Sequence, residues 1–107
     1  MAVQKHSVTI LSGQTQSTSV QIGKDQAIVR LDVPSMTSTS VSFQVSDDNT
    51  TFLPVRDDTG VLFSVTVSGA SAIQIPIEKI ISPNYLKIVG STVEISDKII
   101  QIYHLEV

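Results

Sequence analysis

Apolar and polar residues alternate in short runs along most of this chain, and each run closes on a cluster of turn-forming residues. The cleanest run is Ser40 to Ser46, where Val41, Phe43 and Val45 fall on one side and Ser40, Ser42, Gln44 and Ser46 on the other. A repeat of two puts successive side chains on opposite faces of a strand, so this run predicts a strand with one face in a core and one in water. Gln26 to Val33 reads the same way, with Ala27, Val29, Leu31 and Val33 on one face and Ile28, Arg30 and Asp32 on the other. Val61 to Val67 puts Val61, Phe63, Val65 and Val67 inward, and Ala72 to Ile77 aligns Ile73, Ile75 and Ile77. Further strands are expected at Ser7 to Leu11, Ser17 to Ile22, Thr51 to Val55, Tyr85 to Val89 and Lys98 to Val107. Pro54 and Pro76 cannot donate to a ladder and mark edge strands. Glu78 to Ser82 has room for a single helical turn.

Turns recur about every 8–13 residues, among them Gly23-Lys24-Asp25, Asp47-Asp48-Asn49-Thr50 and Asp57-Asp58-Thr59-Gly60. Regular spacing of short strands predicts an all-β chain, an antiparallel β-sandwich of jelly-roll or immunoglobulin-like Greek-key type with about eight strands. The 107 residues suit one domain over 1–107. Its expected core comprises Val29, Leu31, Val41, Phe43, Val45, Phe63, Val65, Ile73, Ile75 and Leu86. Composition strengthens this reading: 14 Val, 13 Ile and 10 Thr stand against 6 Leu and 4 Ala, which excludes a helical bundle.

Without cysteine, the fold must hold by packing and hydrogen bonding. Seven basic residues against ten acidic ones argue against a nucleic-acid partner. No apolar run reaches the roughly 20 residues of a membrane span, and the first residues lack the apolar region of a secretory leader, so no membrane partner is expected.

Candidate chemistry is sparse. His6 and His104 lie near opposite ends of the chain, where terminal strands often pair, but surface positions are expected for both. No phosphate loop, zinc-protease or serine-hydrolase motif occurs, so no enzyme activity and no cofactor are expected. Asp47, Asp48, Asp57 and Asp58 sit on two neighbouring turns and could face a calcium ion, yet turns need these residue types in any case. Trp is absent, which weighs against a sugar-stacking platform; Phe52, Tyr85 and Tyr103 are the aromatics outside the expected core. The last strand is apolar on both sides, with Ile99, Tyr103, Leu105 and Val107 on one and Ile100 and Ile102 on the other. Either it is central in the sandwich or it belongs to a subunit contact, for which Ile99, Ile100, Ile102, Tyr103 and Leu105 are the candidates. Ile28 on a polar face and the Ile80-Ile81 pair are further apolar positions of this kind.

The run Ser42-Phe43-Gln44-Val45-Ser46-Asp47-Asp48-Asn49-Thr50-Thr51-Phe52-Leu53-Pro54-Val55, followed by Asp57-Asp58-Thr59-Gly60, Val65-Thr66-Val67 and Tyr85-Leu86-Lys87-Ile88, resembles small virion proteins of tailed bacteriophages. In those, a "TFQxSxDGxTWxPLxDDxG" stretch precedes a Val-Thr-Val strand and an "RYLKxRSG" stretch. The likeness spans Val33 to Ser91 and departs at two places: Phe52 stands where Trp is expected, and Asp48-Asn49 where Asp-Gly is expected. Asn is the other residue that accepts a left-handed backbone. The resemblance implies a β-sandwich, oligomeric assembly and a structural, non-enzymatic role in the virion, after synthesis in the host cytoplasm. The function expected from it is a capsid decoration (cement) protein on the outer surface of the head, a homotrimer whose partners are its own copies and the major capsid protein. The alternative is a tail, baseplate or head-fibre component, or a module that binds carbohydrate on a host surface.

Overall fold

The alternating segments pair into two antiparallel sheets laid face to face. The computed structural model describes residues 2–107. The strands are β1 (Gln4–Ile10), β2 (Val20–Gln21), β3 (Gln26–Val33), β4 (Ser40–Ser46), β5 (Leu53–Pro54), β6 (Ser64–Thr66), β7 (Ser71–Gln74), β8 (Ile81–Ser82), β9 (Tyr85–Gly90) and β10 (Lys98–Glu106). The first sheet has the order β1-β10-β3-β7, with β8 also on β3; the second has the order β2-β9-β4-β5, with β6 also on β4. The β-sandwich expected from the alternation is therefore present, with ten strands among the described residues rather than eight because several edges are built from very short pieces.

β1 and β10 pair over their full overlap, from Gln4 opposite His104 to Ile10 opposite Lys98. β10 in turn lies beside β3, so the C-terminal strand is central. That accounts for its two-sided apolar character. Ile100 and Ile102 have no exposed surface and pack in the core with Val8, Ile10, Leu31, Phe43, Leu86 and Ile88. As candidates for a subunit contact these two are corrected: they hold the two sheets together.

One half of β3 also reverses its expected faces. Tyr103 pairs with Arg30, but the next residue, His104, pairs with Ile28, so Val29 is an extra residue on β3. Such a bulge shifts the alternation by one. Leu31 and Val33 point inward as expected, whereas before the bulge Ile28 takes the inner position, fully buried, and Val29 is only half-buried. Val45, Phe63, Val65 and Ile73 pack against the core from its margins and are partly buried.

The segment after β4 makes one interrupted edge strand. β5 pairs with Gln44 and Val45 and β6 with Ser40 to Ser42, so both line the same side of β4, as Pro54 predicts. Between them the chain leaves the sheet as an arm closed by an Arg56–Leu62 bridge and a turn at Asp57–Gly60, where Gly60 has φ +87°. Glu78 to Ser82 is not helical: a tight turn, Lys79 N–H to Pro76 C=O at 3.0 Å, leads into β8, which pairs with Gln26 and Ala27. The β4–β5 turn holds Asn49 at φ +62°, the left-handed conformation that its residue type tolerates.

Candidate functional site on the outer face of the first sheet

With Ile100, Ile102 and His104 turned inward, β10 presents Ile99, Gln101, Tyr103 and Leu105 on the opposite face. The register extends each of these into a row across the sheet. Lys5, Tyr103, Arg30 and Gln74 form one row. Arg30 binds Asp32 through two N–H groups, both at 2.8 Å, and its guanidinium lies 4.3 Å from the centre of the Tyr103 ring. The hydrogen bonds from Arg30 hold the Asp32 carboxyl below its ordinary range. Leu105, Ala27 and Ile81 form a second row, apolar across three strands. Ala27 is fully covered, and Ile81 remains 44% exposed. Of the five candidate contact residues, Ile99, Tyr103 and Leu105 thus share the outer face, and Ile81 joins Leu105 there. Ile80 is buried in the core. Pairing of β8 with β3 is what unites the two apolar segments, and residues some twenty positions apart carry no local signal of it.

On the inner face, the two histidines do meet. His104 is fully buried; its Nδ1–H donates to Gln26 Oε1 at 2.7 Å. Its Nε2 is therefore left to accept from His6 Nδ1–H at 2.8 Å. The surface position expected for His104 is corrected: as the third inward residue of β10 it continues the line of Ile100 and Ile102. Burial first, and then the neighbouring His6, push its pKa below the ordinary 6.5. A depressed histidine pKa means that the unfolded chain takes up the proton more readily. Stability from this site is complete above about pH 6.5 and is lost as the pH falls through the folded-state value. Urea midpoints are expected to decline as the pH falls below about 6.5, and a profile that stays flat through the acid range would remove the depressed pKa.

A second buried polar group has no counterpart in the alternation. Glu94 is fully buried while its neighbours Val93 and Ile95 are 52% and 81% exposed. Its carboxylate accepts from Thr37 N–H at 2.8 Å, Ser38 N–H at 2.9 Å and Ser38 Oγ–H at 2.7 Å. Burial works against the charge, but these hydrogen bonds together outweigh it and hold the carboxyl below its usual range. Gly90 leaves the space: a Cβ there would sit 2.4 Å from Ser38 Oγ.

The acidic turns are built as turns. Asp48 Oδ1 accepts from Thr50 N–H, Thr51 N–H and Ser46 Oγ–H at 2.9–3.0 Å. Asp57 Oδ1 accepts from Thr59 N–H, Thr59 Oγ1–H and Val61 N–H at 2.6–3.0 Å. The backbone N–H of Thr51 and the hydroxyl of Thr59 are the main causes that lower these two pKa values. One oxygen of each carboxylate is thus already committed to its own loop. Thermal melts in calcium and in chelator are expected to coincide, and a calcium-dependent rise of several degrees would overturn that.

Compared with known protein families and with curated proteins, the chain matches none.

Proposed function

We propose that this protein is a non-enzymatic structural subunit of a tailed-phage virion, a decoration protein that self-associates through the outer face of its first sheet and seats on the outer surface of the head. The observation that carries the assembly part is the exposed Ile81 and the half-buried Leu105, aligned on either side of the covered Ala27, beside Tyr103 and Arg30 on the outer face of the first sheet. Arg and Tyr are enriched at protein interfaces, and apolar area withdrawn from water contributes about 25 cal/mol per Å² before the cost of association. The virion part rests on the sequence resemblance from Val33 to Ser91. A trimer closes such a contact without open-ended polymerisation.

Light scattering of the purified protein at micromolar concentration is the test. A mass near three times the 11.5 kDa chain is expected. Ile81→Lys with Leu105→Lys is expected to leave the circular-dichroism spectrum unchanged and give a monomer. A wild-type mass of 11.5 kDa at every concentration rejects self-association in solution. Co-sedimentation with heads of the phage that encodes the protein tests the capsid partner separately, and failure to pellet with them would overturn it.

A further inference from the structure

The arm between β5 and β6 and the turn before β8 form an open cleft of about 370 Å³. Arg56, Asp57, Asp58, Phe63, Glu78 and Lys79 line it. Its size falls in the range of roughly 300–1,000 Å³ typical of small-ligand sites. We propose that this cleft binds a single neutral sugar ring. The inference goes beyond the assembly role and does not depend on it.

The cleft is held in place from within. Phe63 is anchored by stacking on the core residue Phe43, with ring centres 5.9 Å apart, and by its N–H to Val55 C=O at 2.9 Å. The arm is braced by the three hydrogen bonds to Asp57 Oδ1 and by Arg56 Nη1–H to Gly60 C=O at 3.1 Å. The opposite wall is the tight Pro76–Lys79 turn. Little of the geometry therefore has to be ordered when a ligand arrives.

The lining selects the ligand class. Two cations and three carboxylates give a net negative wall, which disfavours phosphate and other anions. Both signs are present, so the site offers donors and acceptors together. An apolar ligand would strip water from five charged groups against one aromatic ring, at a net cost. A pyranose fits what remains: its hydroxyls donate to Asp58 and Glu78 and accept from Arg56 and Lys79, while its C–H face rests on Phe63. Absence of Trp argues against an exposed stacking platform of the usual kind, but the half-buried Phe63 in the lining of this polar cleft offers the same kind of contact.

The test is a ¹H–¹⁵N NMR titration of the full chain with methyl α-D-glucopyranoside, methyl α-D-mannopyranoside, methyl β-D-galactopyranoside and N-acetylglucosamine. Each is taken to about 50 mM, since a contact of this size corresponds to millimolar affinity. Saturable shifts confined to residues 56–63 and 77–79 with at least one sugar are expected. Asp58→Asn with Glu78→Gln, both exposed positions, is expected to weaken that binding about tenfold or more without lowering the melting temperature. Calcium chloride and sodium phosphate are titrated alongside. Saturable shifts at these residues with either salt and with no sugar would overturn the sugar assignment, and no shifts with any probe would overturn the site.

Discussion

Ile100→Ser combined with Ile102→Ser is expected to give a chain that does not fold. Both side chains have no exposed surface and lie between the sheets on the strand that β1 and β3 flank. Truncating a buried Ile to Ala typically costs about 2–5 kcal/mol. Serine adds a buried hydroxyl without a partner, at about 1–3 kcal/mol. Two such losses rival the roughly 5–15 kcal/mol that separates folded from unfolded states, even allowing for imperfect additivity between neighbours. Ile99→Ser, one residue away but 56% exposed, is expected to change stability by no more than about 0.5 kcal/mol. Far-UV circular dichroism and urea denaturation distinguish the two. A cooperatively folded double variant, within about 1 kcal/mol of wild type, would return Ile100 and Ile102 to a subunit contact.

Glu94→Ala is expected to destabilise the protein by about 3–5 kcal/mol, because two N–H groups and one hydroxyl would lose a charged acceptor in a buried site. Glu94→Gln keeps one acceptor oxygen but sets an NH₂ against the same donors, so a smaller loss of about 2–3 kcal/mol is expected. The pH dependence supplies an independent readout. With its folded pKa below the ordinary 4.5, Glu94 contributes stability that is complete above about pH 4.5 and is lost as the pH falls through the folded value. The Gln variant lacks that component, so its stability should fall less steeply in acid than that of the wild type. This loss sets in below about pH 4.5, whereas that from the His104 site sets in below about pH 6.5. Equal acid profiles for wild type and the Gln variant would mean that Glu94 is not held ionised.

Pairing of the terminal strands was open to sequence reading, but the burial of His104 against His6 and Gln26 and the Glu94 clamp were both hidden from it for the same reason. Each depends on partners far away in the chain: His6 and His104 are 98 residues apart, and Glu94 and Ser38 are 56 apart. Hydropathy around Glu94 points the wrong way, since Val93 and Ile95 are the residues that local alternation would bury. Burial of Glu94 is favourable only because Thr37 and Ser38 present their donors to it, and no local property of residues 92–95 encodes that meeting.

From the sequence alone, period-two alternation determined the β-sandwich, the inward face of Val41 and Phe43 on β4, the core position of Leu86 on β9, the edge position of Pro54 and the tolerance of Asn49 for a left-handed turn. These follow from one residue and its near neighbours: a strand alternates by geometry, and apolar side chains leave water wherever the chain lets them. Only the tertiary structure decided that Val29 is a bulge and Ile28 a core residue, because a bulge is defined by the register of a partner strand. It likewise decided that Ile100 and Ile102 face the core, and that Ile81 comes beside Leu105 on the outer face. A residue apolar on either side of its strand satisfies local hydropathy in both orientations; what it finally packs against is set by which strands lie next to it, and that is a non-local choice.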